Sequence, residues 1–293
     1  MPRRRSVTPS GGLQESLDRA KQGGPLQGTG RTGALWIIVI IEVEVSPAQS
    51  HYNHAPITEA IIDLHCELPN SAGLKDLLGV HVRLAESYPK QGELRSITAQ
   101  FAHFAPGSSL SSAEQLVGYR FVNNDDNRVA LVRLDGLSFS WLAPYDRWES
   151  FRTEARRVWE IYSSVLNPTQ ITRVGVRYVN RIDIPVSPGQ GIELDDYFRT
   201  GARIAPELPQ RLDAYFVRLQ LPLSHLKGTL IITQTALPPR SPATLSAVLD
   251  IDTIVADELV DEATAWKYVD DLRAEKNLAF EACITDRVRD LIK

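Results

Sequence analysis

From Ala60 to Leu68 the side chains alternate, with Ile62, Leu64 and Cys66 on one side and Ile61, Asp63 and His65 on the other. Period two is the pattern of a half-buried strand. Between Leu74 and Tyr88 the residues Leu77, Leu78, Val82 and Leu84 recur near helical spacing, and Pro89 ends that helix. The stretch from Leu94 to Phe104 reads as extended. A meander follows, with strands predicted at Gly118–Val122, Arg128–Leu134 and Leu137–Leu142. Asn123–Asn127 supplies the first turn, because short polar side chains tolerate left-handed backbone. Asp135-Gly136 predicts a type I′ hairpin for the second. Three strands joined so tightly are antiparallel neighbours.

The clearest helix comes next. Trp148, Phe151, Ala155, Val158, Trp159, Tyr162 and Val165 form one apolar stripe, opposite Arg147, Arg152, Glu154, Arg156, Arg157 and Glu160. Asp146 is its expected N-cap, and Asn167-Pro168 ends it. Ile171–Ile184 is a long predicted strand, Pro185–Gly191 a loop and Leu194–Phe198 a short helix. The order then recurs. Strands are predicted at Ala214–Leu223, Thr229–Ala236 and Leu245–Ile254. They are followed by a helix from about Ala263 that carries Trp266, Val269, Leu272, Leu278 and Phe280, with Asn277 as a candidate interruption. The predicted fold is α+β, an antiparallel sheet covered by a few helices. It forms a single domain over residues 46–293, readable as two meander-plus-helix halves meeting near 185–210.

Residues 1–45 are a different kind of chain. Met1–Arg31 is rich in Gly, Ser, Pro, Gln and Arg and carries a charge of +4, which leaves −8 for the remainder of a chain of net charge −4. Such a segment buries too little apolar surface to offset its ordering entropy, and it reads as disordered. The apolar run Ala34–Ile41 lies far from Arg3, Arg4 and Arg5 and is followed at once by Glu42 and Glu44, which argues against a signal peptide. Its plain reading is a short strand, or sequence outside the natural protein. Met1 is the only methionine, and Arg outnumbers Lys 25 to 7. A true start at a valine codon, such as Val43 or Val45, accommodates these facts.

The composition narrows the function classes. With 43% hydrophobic and 23% charged residues among 293, the chain is ordinary globular material. Two cysteines exclude a disulfide scaffold and a four-cysteine zinc site. The negative balance argues against a strongly basic nucleic-acid binder. No apolar run reaches the roughly 18–20 residues of a membrane helix.

Candidate chemistry centres on the strand from Thr172 to Asp183. Val174, Val176, Tyr178 and Ile182 share one face, and Arg173, Arg177 and Arg181 share the other. Arginine keeps its charge, so each must meet water, an acid or an anion. With Arg133, Arg218 and Arg120 on other strands, the sheet could carry a basic face for phosphate or carboxylate. The competing expectation is a solvated face whose arginines pair with Asp and Glu. The histidines at 51, 54, 65, 81 and 103 do not have convincing metal spacing, although His51 and His54 could reach Asp63 or Glu67. Cys66 and Cys283 sit in apolar patterns, as small hydrophobes do. Asn123–Asn127 lacks the glycine and glutamate of a calcium loop. Glu42-Val-Glu-Val45 is similar to the opening of triphosphate-tunnel enzymes, but Ser46 stands where their lysine would follow. No cofactor and no metal is expected, and no catalytic residue can be assigned.

Several segments together resemble a sporadically distributed family of uncharacterised bacterial proteins. They are the run from Tyr52 to Ala60, Gly118–Phe121, Tyr145 with Trp148 and Phe151, Arg173–Ile182, and Phe280–Thr285. The resemblance runs from about His51 to the carboxyl end and implies a soluble, cytoplasmic bacterial protein with an accessory role, as in defence loci. The functional expectation is a non-enzymatic binding or regulatory protein acting through a protein partner. The alternative is a protein that handles phosphate, nucleotide or nucleic acid through Arg133, Arg173, Arg177, Arg181 and Arg218.

Overall fold

Alternating strands and two tryptophan-led helices assemble into an antiparallel sheet with helices on one side. The computed structural model describes residues 52–102, 109–187 and 190–293. In order these form β1 (Ile57–Glu67), α1 (Leu77–Leu84), β2 (Lys90–Ala102), β3 (Ser109–Val122), β4 (Arg128–Arg133), β5 (Gly136–Leu142), α2 (Trp148–Leu166) and β6 (Gln170–Pro185). A 3-10 turn (Leu194–Asp196), β7 (Phe216–Leu223), β8 (Gly228–Leu237), β9 (Thr244–Val260), α3 (Glu262–Cys283) and α4 (Asp286–Ile292) complete the chain. The expectations for residues 1–45, and those for His51 and His103, lie outside the described residues. The described residues all belong to one compact unit. The fold is α+β, as the alternation of patterns requires.

The nine strands run in the order β2-β3-β4-β5-β1-β6-β9-β8-β7, and every neighbouring pair is antiparallel. The wiring recurs on the two sides of the β1–β6 seam. In each half the opening strand (β1 or β6) pairs with the last strand of its own meander (β5 or β9), and a helix follows. The halves therefore join at Asn167–Thr169, between α2 and β6, rather than near 185–210.

One face of the sheet is the core. Ala60, Ile62, Leu64, Phe139, Trp141, Val174, Val176 and Tyr178 pack against Phe151, Val158, Trp159 and Tyr162 of α2 and Trp266, Val269 and Leu272 of α3. A second cluster joins Ile182, Ile184, Leu249, Ile251 and Ile232 to Phe280, Cys283, Val288 and Ile292. That second cluster explains why α3 does not stop at Asn277. Its last two turns bring Phe280 and Cys283 over the outer strands, and the helix is continuous to Cys283. It also gives α4, absent from the sequence-based expectation, a place to bury Val288 and Ile292.

Two further details depart from expectation. Asp146 does not cap α2; the N-cap is Arg147, and the Asp146 carboxylate accepts from the Ser150 hydroxyl at 2.8 Å. The β4–β5 turn is not type I′. Its two loop residues, Leu134 and Asp135, keep negative φ, and the positive angle falls on Gly136, at 146°. Gly136 is needed there for a second reason: a Cβ would lie 2.1 Å from the Leu64 carbonyl oxygen of β1. Asn167 ends α2 as expected, in left-handed geometry, its N–H donating to the Ser163 carbonyl.

Candidate functional site: the open face of the sheet

The second face carries the polar side chains that alternate with the core. On β6 these are Arg173, Arg177, Arg181 and Asp183, with Gly175 and Val179 between them. Register places Glu59, Ile61, Asp63 and His65 of β1 beside them. On the other flank lie Ser246, Val248, Asp250, Asp252 and Ile254 of β9. No helix among the described residues packs on this face.

Its centre in the first half is Asp63. The carboxylate accepts from the Ser138 hydroxyl and from Arg173 Nη1, and it meets Arg133 Nη2 at 3.3 Å and His65 Nε2 at 3.0 Å. Arg133 also donates to the Ser138 hydroxyl at 2.9 Å and to Asp135 at 2.9 Å. Burial alone would raise the Asp63 pKa. The hydrogen bonds from His65 and Ser138 and the Arg173 charge overcome it and hold the carboxyl far below the usual carboxylate range.

The second half repeats the arrangement. The Ser246 hydroxyl donates to Asp183 at 2.5 Å, and Arg181 donates to Asp183 at 3.0 Å and to Ser246 at 2.9 Å. Arg240 approaches the other carboxylate oxygen at 3.3 Å. Here too burial opposes ionisation, and the Ser246 and Arg181 hydrogen bonds lower the pKa. The correspondence is one of register. Asp63 faces Ser138 across β1–β5, and Asp183 faces Ser246 across β6–β9. The Glu59–Val179 pair lies midway, four residues from each aspartate. A pseudo-two-fold axis at that pair exchanges the clusters, each about 13 Å from it along its strand. The dipeptides Ile62-Asp63 and Ile182-Asp183, and Leu137-Ser138 and Leu245-Ser246, are its imprint in the sequence.

The strand arginines are thus placed as follows. Arg133 and Arg173 meet at Asp63. Arg181 belongs to the Asp183 cluster. Arg177 makes a two-pronged contact with Asp250, Nε to Oδ1 at 2.8 Å and Nη2 to Oδ2 at 2.6 Å. Arg218 stands apart on β7, and Arg120 lies exposed on β3. The acids on Arg133, Arg173, Arg177 and Arg181 leave the face close to electrical balance. Asp252 lies opposite Arg177 in register. Burial pushes its carboxyl up, Arg173 and Arg177 oppose this, and Asp250 and Asp63 add to the rise.

Other candidates have structural surroundings. Cys66 is buried and lies 3.5 Å from the Tyr162 hydroxyl, and burial raises its thiol pKa. Cys283 is likewise buried and accepts from Thr200 at 3.5 Å. Among the described residues no three His, Cys, Asp or Glu side chains converge as metal ligands would. No described helix is long and apolar enough to cross a membrane. Two hollows exist. One of about 670 Å³ is lined by Val186, Ile192, Tyr197 and Arg287, and one of about 530 Å³ lies between α2 and α3 at Arg152, Trp266 and Asp270. None of the strand arginines lines either hollow. The acids and serines Asp63, Ser138, Asp183, Ser246 and Asp250 are the partners that sequence reasoning did not assign. Only the paired dipeptides could have signalled four of them.

The chain matches no protein-family model, and no curated protein matches it.

Proposed function

We propose that the protein is a binding protein that acts through a protein partner and recognises it with the open face of the sheet. The observation that carries this reading is the state of Arg177. Asp250 takes its Nε and Nη2 donors, which fixes the guanidinium plane while Nη1 keeps its own N–H groups for another acceptor. Ile61 lies opposite Arg177 in register, and Val179 follows two residues along. A pre-oriented arginine beside aliphatic side chains suits a protein surface that offers a carboxylate or amide flanked by apolar groups. A phosphate or nucleotide using the same Nη1 donors would lie against the carboxylates of Asp250 and Asp252 and would leave Ile61 and Val179 without apolar partners.

Native mass spectrometry of the chain purified gently from its own host tests this. The expected result is a protein bound at fixed stoichiometry, released by Val179→Glu and Arg177→Glu on the open face and retained by Val82→Lys on α1. A bound small anion would instead favour the phosphate reading. A bound protein indifferent to Val179→Glu and Arg177→Glu would overturn the assignment of the face.

A further inference from the structure

We infer that β7 is a docking edge for a second copy of this chain, the two β7 strands pairing antiparallel about a two-fold axis at Leu219. An edge strand presents a row of unpaired backbone N–H and C=O groups, and proteins usually guard such rows with charge. The two edges of this sheet differ in that respect. The β2 edge carries Lys90, Glu93 and Arg95, with Lys90 held by Asp126 and Arg95 by Glu93. The β7 edge, Phe216–Leu223, has one charge, Arg218, among apolar residues that remain open to water. Phe216 is 68% exposed, Leu219 39% and Leu221 42%. Phe216 lies on the open face with Arg218, Gln220 and Pro222, and Leu219 and Leu221 lie on the helix side with Val217, so exposed apolar side chains stand on both faces. The helical layer reaches β7 only at its end, where Leu223 is buried in the first core cluster. The second core cluster reaches Ile232 on β8, and Leu219 sits beside Ile232, one strand further out.

The occupant follows from the register. If a two-fold axis perpendicular to the sheet relates two β7 strands, the pleat requires the axis to pass through a residue, since directly opposed side chains share a face. An axis at Arg218 would set two guanidinium groups against each other. One at Gln220 would carry Phe216 past the end of its partner strand. An axis at Leu219 uses the strand from Phe216 to Pro222. It sets Leu219 against its own copy, Val217 against Leu221, Arg218 against Gln220 and Phe216 against Pro222. Apolar residues meet apolar residues, no like charges oppose, and Val217, Leu219 and Leu221 from each copy extend the row that Leu230 and Ile232 begin. The pattern is self-complementary, which is what an isologous contact demands. The product is one continuous sheet whose helical layers lie on the same side.

Sedimentation velocity of the full chain over a concentration series tests the assignment, with a reversible monomer–dimer equilibrium as the expected result. Leu219→Lys places two ammonium groups on the axis and should weaken the dimer about tenfold or more. Val82→Lys, at a site 77% exposed on α1, should leave it unchanged. Leu219→Cys should link the copies covalently on mild oxidation, because opposed Cβ atoms across such an axis are within disulfide reach and Cys66 and Cys283 are both buried. A chain that stays monomeric and does not cross-link through Leu219→Cys overturns the proposal. So does a dimer that folded Leu219→Lys leaves intact, or a different protein found on β7.

Discussion

Arg177 and Asp250 grip each other through two hydrogen bonds, 2.8 and 2.6 Å long, across the β6–β9 ladder. The Asp250 side chain is only 12% exposed, whereas that of Arg177 is 45% exposed. The two partners are therefore unequal. Arg177→Ala leaves a mostly buried carboxylate near Asp252 and should cost about 1–3 kcal/mol. Asp250→Ala releases a guanidinium that can turn to water and should cost less. In a double-mutant cycle the pair should lose less than the sum of the singles. Urea denaturation of the four proteins measures this, and additive losses would show that the contact contributes nothing as a pair.

Asp63 joins β1, β4, β5 and β6 through Arg133, Arg173, Ser138 and His65, and Asn in its place takes the anion from Arg173 and leaves Arg133 with Asp135 alone. Asp63→Asn should destabilise the fold by about 3 kcal/mol, while Asp183→Asn, at the more exposed equivalent position, should cost about 1 kcal/mol. The sign with pH follows from the lowered pKa. In the unfolded chain the carboxyl takes up its proton near 3.8; in the folded protein it does so only at much lower pH. The contribution is present in full above pH 4 and is lost as pH falls through the folded value. Thermal melts of wild type and Asp63→Asn should differ by a constant amount from pH 7 to about 4 and converge below it. A difference that vanishes already at pH 5 would contradict the assignment.

Lys276 on α3 is buried at the sheet, its ammonium nitrogen 3.7 Å from the centroid of the Tyr178 ring. Burial, aided by the Arg273 charge and opposed by Glu281, pushes its pKa down to about 7 from 10.5. The unfolded chain keeps this proton up to pH 10.5 and the folded protein releases it near 7. The lysine therefore destabilises the fold most below pH 7, and stability should rise between pH 7 and 10.5 by at most about 1.4 kcal/mol per pH unit. Lys276→Met keeps the volume and the apolar contact with Tyr178. It should raise the melting temperature at pH 7 and flatten the dependence between pH 7 and 10. An unchanged slope in Lys276→Met would place the titration elsewhere.

The parts of the fold that could be read from sequence are those set by neighbours in the chain. The alternation around Ile62, the stripe from Trp148 to Val165, the Asn123–Asn127 turn and the stop at Asn167 are local events, and each appears where its pattern puts it. The face shared by Arg173, Arg177 and Arg181 was likewise legible, because period two fixes it. What those arginines touch was not. Ser138 is 75 residues from Asp63, and Ser246 is 63 from Asp183. Nothing short of strand order brings them together. The Asp135-Gly136 turn failed for a related reason, since the close approach of Leu64 from another strand decides where the positive φ must fall. Asn277 failed because burial of Phe280 and Cys283 outweighs the weak helix preference of one residue.

The Glu59–Val179 midpoint has a consequence for how the chain is held together. Each half owns an opening strand, a meander that returns to it and a helix to cover the result. The β1–β6 ladder thus stands in the same relation to these halves as a subunit contact does to two protomers, and Asn167–Thr169 is the tether that makes their meeting intramolecular. Cleavage there should yield two fragments that find one another again, with the loss confined to the effective concentration that the tether supplied.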